Sequence, residues 1–138
     1  MDTTAVVTAV NQILAAANVG VWRPGGGYTA AEVGIFYGPV GATPNRAIGV
    51  TIYTQTDDVE TGRADRYAQL RFRGNPGAPN GADILADEAF VALQGVYHTS
   101  GIARITRTST APLGADGNGR QERTDNYQLI LDNPEATP

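Results

Sequence analysis

His98 and Ser100 stand two residues apart just beyond an apolar helical stretch, and a histidine near a hydroxyl is the start of a nucleophile–base pair. Such a pair needs an acid to orient the imidazole, and the sequence ties none to it. A histidine at a helix end also serves simply by favouring the negative end of the helix dipole. It is the only histidine, and there is no cysteine, so no His/Cys cluster exists to hold a metal. Asp116-Gly-Asn118-Gly has the opening of a calcium loop. The twelfth position, where a bidentate Glu belongs, is Tyr127, and Arg120 precedes the required glycine position, so the stretch reads as a turn. Gly25-Gly26-Gly27-Tyr28-Thr29-Ala30 fits a relaxed Gly-x-Gly-x-x-Ala pattern. No helix opens within it and no acid follows around position 50, so it reads as a flexible loop. Asp57, Asp58 and Glu60 could pair for acid–base work but read as a solvated acidic turn. No catalytic residue, metal site or cofactor is assigned, and the chain is read as a non-enzyme.

Composition points the same way. The chain has 138 residues, a single-domain length, and a formal net charge of −4. A protein that grips nucleic acid by its phosphates shows a basic surplus, which this chain lacks. All ten basic residues are arginine, whose forked guanidinium suits bidentate contacts at interfaces. No apolar run reaches the roughly 20 residues needed to span a bilayer, and Met1-Asp2-Thr3-Thr4 lacks the basic region of a signal peptide.

The spacing of Val6, Val10, Ile13, Leu14 and Ala17 predicts a helix over 3–17, capped by Asp2, Thr3 or Thr4 and ended by Asn18 and Gly20. Strands are expected at 46–55 and 66–73, with short extended pieces at 19–22 and 32–38. A second helix is expected over 81–94, with Asn80 as N-cap, Asp83 in the first turn, and Asp87 and Glu88 on its outer face. Two last strands, 102–109 and 125–132, are joined by a long loop, and 133–138 reads as a flexible tail. This order suggests one α+β domain, an antiparallel sheet of four to five strands with two helices on one face. Ile48, Val50, Ile52, Ala68, Leu70 and Phe72 would face Leu85, Phe90 and Leu93. The opposite face would carry Tyr53, Gln55, Tyr67, Gln69, Arg71 and Arg73, the aromatics and arginines that are enriched at protein interfaces.

The loop from Ser109 to Tyr127 holds Pro112, Leu113, Asp116, Arg120, Glu122, Arg123 and Asp125. Its charges alternate in sign, and Pro112-Leu113 gives it an apolar anchor. It reads as a contact element that is mobile in the free protein over 110–124 and ordered on assembly. Its run Ala-Pro-Leu-Gly-x-Asp-x-Asn-Gly-Arg-x-Glu-Arg-x-Asp-Asn-Tyr, at 111–127, resembles the late signature of tail terminator proteins of long-tailed phages of actinobacteria. Trp22-Arg23-Pro24, Gln69 to Gly74 and Asn80 to Asp83 add to the resemblance. Gln121 departs from it, standing where an aromatic is expected.

The resemblance implies a virion protein, assembled in the host cytoplasm. It would form a hexameric ring at the head-proximal end of the tail tube, end tube polymerisation and dock to the head connector or stopper. The implied partners are further copies of the chain, the major tail tube protein and that connector. DNA would only pass through the lumen, not specifically bound, and no membrane is involved. Another neck component, or less favourably an α+β small-molecule-binding module, are the alternatives. The expected contact residues are Tyr53, Tyr67, Arg71, Arg73, Asp87, Glu88, Pro112, Leu113, Arg120, Glu122, Arg123 and Asp125.

Overall fold

The Asp2 carboxylate accepts a hydrogen bond from the Ala5 amide at 2.8 Å and so caps α1 (Thr3–Ala16) in the computed structural model, which describes residues 1–133. Apart from Asn133, the expected flexible tail lies outside the described residues. Asn18 adopts a left-handed backbone (φ 59°) that lets the Val19 amide close on the Leu14 carbonyl, ending α1. The second helix, α2 (Gly81–Leu93), buries Ala82, Leu85, Ala86, Ala89 and Leu93 along one stripe. Asn80 occupies its cap position without a side-chain bond.

Seven strands form one sheet: β1 (Val21–Trp22), β2 (Gly34–Tyr37), β3 (Ala47–Asp57), β4 (Ala64–Pro76), β5 (Tyr97–Thr99), β6 (Ile102–Ala115) and β7 (Arg120–Leu131). Their spatial order is β1–β2–β3–β4–β7–β6–β5. β1, β2 and β3 pair in parallel, and all other neighbours are antiparallel. The expected antiparallel sheet of four to five strands is therefore incorrect: the sheet is mixed, has seven strands and curls into a half-barrel. The physical reason is length. β1 has two residues and β2 four, too short for alternation to show. The connections between them carry no helical pattern to announce a parallel crossover.

The expected long loop is also strand. β6 and β7 stay paired out to Ala115↔Gln121, so the segment is a β-hairpin turning at Asp116–Gly119. Glycine, proline and charge are depleted in strands, but register shifts between Arg107 and Ser109 and between Pro112 and Gly114 absorb them here. Pro112 is tolerated because β5 pairs only with the start of β6, so the outer part of β6 is a free edge.

Both helices cover one face of the sheet, and a single core joins Val6, Val10 and Leu14 of α1 and Leu85 and Leu93 of α2 to Ile48, Val50, Leu70, Phe72, Ile105 and Leu129 of the strands. Phe90 is only half-buried and Ile52 partly buried. Two glycine sites fix the layers. A Cβ on Gly74 would lie 2.5 Å from the Gly81 Cα, so β4 and the start of α2 meet backbone to backbone. A Cβ on Gly49 would lie 2.3 Å from the Gly38 carbonyl oxygen, which puts the loop over residues 38–46 flat against the other, open face.

Candidate functional site

The alternation of β3 and β4 places Thr51, Tyr53, Tyr67, Gln69 and Arg71 on the open face. Tyr53 and Tyr67 are neighbours, with ring centroids 6.3 Å apart. Arg71 reaches across to β7 and grips Glu122 with two bonds, at 3.0 and 3.1 Å. That pairing raises the guanidinium pKa and leaves Arg71 half exposed but neutralised. Arg73 shares the face but not the exposure, at 4 % accessible. The loop that Gly49 admits folds over it, and its guanidinium donates to the carbonyls of Gly41, Pro44 and Asn45 at 2.7–2.8 Å. Burial lowers its pKa, with Arg120 adding to the effect. Within the chain Arg73 is a clasp for that loop.

Arg120 has a similar duty at the hairpin turn. It binds the Asp116 carboxylate at 2.8 Å and the Ala42 carbonyl at 2.8 Å, tying the turn to the same loop. The Arg120 amide, the Asn118 amide and the Arg120 side chain hold the Asp116 carboxyl below the usual carboxylate range. The arm itself, from Thr108 to Ala115, is exposed, with Pro112 and Leu113 near its end.

Arg123 and Asp125 belong to the helix face. Asp125 is fully buried and binds Arg123 at 2.8 and 3.2 Å, while Arg107 of β6 lies 3.5 Å away. Arg123 reaches on to Asp83 at 3.1 Å and Asp87 at 3.6 Å, and Arg107 lies over the Phe90 ring at 3.9 Å. These residues pin α2 to the β6–β7 pair. Burial and the Asp125 charge push the Tyr127 hydroxyl pKa up beside them. Of α2's exposed acids, Asp87 thus leans on Arg123, while Glu88 has no partner among the described residues and sits beside exposed Ile84 and Val91.

The sequence reading did not single out Arg104, Arg107, Tyr97 or Val91. Arg107 shares the face of Ile105 on β6, but its role depends on α2 lying above it, which spacing does not report. Asp132 supplies the acid that the sequence did not reveal: it bonds the His98 ring at Nδ1. Ser100 makes no hydrogen bond to His98 among the described residues, so the arrangement holds an imidazole without presenting it to a nucleophile. No His/Asp/Glu cluster among the described residues is arranged to hold a metal, and no helix there is long and apolar enough to cross a membrane. What the geometry offers is surface: an aromatic and polar open sheet face, an exposed arm, and an acidic and apolar face on α2.

Comparison with known proteins is consistent with this. A family model described as bacteriophage tail terminator protein matches residues 13–133. A solved chain from the virion of a native gene transfer agent particle has the same fold, with a TM-score of 0.67 at 15% identity, covering 93% of this chain and 95% of that one. No curated protein matches the sequence.

Proposed function

The chain belongs to the bacteriophage tail terminator protein family and is a structural protein of the virion tail, and on that premise we propose that it closes into a hexameric ring on the head-proximal end of the tail tube. There it stops tube polymerisation and offers a face to the head connector. The observation that carries this reading is that one subunit presents two unlike surfaces on opposite layers, the open sheet face and the outer side of α2. Head-to-tail contact between unlike surfaces generates a ring when the rotation closes. The exposed residues among the expected contacts, Tyr53, Arg71, Asp87, Glu88, Pro112 and Leu113, with the half-buried Tyr67 beside Tyr53, are the ones that can meet a neighbour. The buried Arg73, Arg120 and Asp125, with Arg123, build the surfaces that carry them.

The charges also suit a lumen through which DNA slides. Nine of the ten arginines are engaged inside the subunit: 23, 46, 63, 66, 71, 73, 107, 120 and 123. Little free positive charge is left to hold phosphates, and net charge is −4.

Arg71→Gln combined with Tyr53→Ala tests the surface. Arg71 is half exposed and Glu122 only 12 % accessible, and a glutamine can still donate to Glu122, so losing the ion pair should cost the protein only about 1 kcal/mol. Thermal unfolding should stay close to wild type while binding to tube ends weakens. Unchanged capping of purified tubes by the double variant would remove this part of the open face from the interface.

A further inference from the structure

Of the ten arginines, Arg104 alone has no side-chain hydrogen bond or ion pair among the described residues, and it is exposed. It lies directly opposite Tyr97 of β5 and Ile130 of β7, so Tyr97, Arg104 and Ile130 form one row across the sheet. Tyr97 is the most exposed large aromatic on the described surface, at 71 %. Tyrosine and arginine are both enriched among the residues that carry most of the energy of an interface.

The complementary surface lies on the helix layer. Where α1 ends beside α2, an open groove of about 550 Å³ is lined by Ala17, Asn18, Val19, Glu88, Val91 and Ala92. Val91 is 82 % exposed on its wall, and Glu88 is the one charge in the lining. An apolar groove with a single unpaired carboxylate calls for an apolar occupant with a single cation. Arg71 cannot supply that cation, because Glu122 already neutralises it. Arg104 can.

We infer that the Tyr97–Arg104 corner of one copy seats in the α1–α2 groove of the next, with Tyr97 against Val91 and Arg104 paired to Glu88. This rests on the ring reading above and names its anchor. Groove and corner lie on different layers of the subunit, so the contact is head to tail and every copy uses both.

The test uses assembled tails. Arg104→Glu alone and Glu88→Arg alone should each weaken occupancy of tube ends by about 30-fold or more, since reversing one member of a desolvated pair leaves the other unpaired. The combined Arg104→Glu/Glu88→Arg protein should recover most of that loss. Circular dichroism of each variant should match wild type, both sites being exposed. Because the chain has no cysteine, Tyr97→Cys/Val91→Cys treated with a flexible bismaleimide should give a ladder of covalent multimers, and either single variant none. If wild-type tails show a multimer at the tube end but the charge exchange does not recover and no ladder forms, the anchor is wrong and the ring stands. A ladder from Leu113→Cys/Val91→Cys instead would put the arm in the groove and overturn the assignment. Absence of any multimer at the end of wild-type tubes would remove the ring itself.

Discussion

Asp125→Ala is expected to destabilise the subunit by about 3–5 kcal/mol, the range for breaking a buried ion pair by removing one partner. The carboxylate is fully buried, and it is the shared partner of two guanidiniums. Arg123 would keep Asp83 and Asp87, which are largely exposed and so bind it weakly. Arg107, resting on Phe90, would keep no carboxylate at all. Removing one charge therefore leaves positive charge trapped between α2 and the β6–β7 pair. Urea titration of the free subunit measures it. A loss below about 1 kcal/mol would mean that water reaches the site and that the network does not hold α2 in place.

Phe72→Ala should cost a similar amount, about 3–5 kcal/mol. Phe72 is fully buried at the centre of β4, opposite Ile48 of β3 and Arg123 of β7, inside the single core shared with both helices. The backbone there cannot easily collapse into the cavity, because Gly74 already brings β4 against the first residue of α2. The same denaturant experiment checks it, and a loss of a few tenths of a kcal/mol would place the ring outside the core.

Both residues show what the sequence makes legible and what it hides. Phe72 was readable because Ala68, Leu70 and Phe72 alternate with Tyr67, Gln69 and Arg71, and a period of two fixes a face wherever one side is buried. The helices were readable from three- and four-residue apolar steps. Asp125 was not, because its neighbours Glu122, Arg123 and Asn126 look like those of a solvated loop. Only the pairing of Leu70 with Asp125 and Phe72 with Arg123 shows that these charges lie under α2. Arg73 was placed on the correct face by its parity with Arg71. Its burial depends on a loop laid over Gly49, and no period in the sequence encodes a loop's path. The exposed Arg104 beside Tyr97 went unread for the opposite reason. Its side chain is singled out by having no partner among the described residues, which becomes visible only when the partners of the other nine arginines have been found.

On the function proposed above, this chain ends the tail tube. The most direct measurement is electron microscopy of tubes polymerised from the tail tube protein in the presence and absence of the chain. With the chain present, growth should stop early, and each tube should carry a six-fold ring at one end, built from its copies. Tubes of the same length distribution in both reactions, with bare ends, would contradict the account.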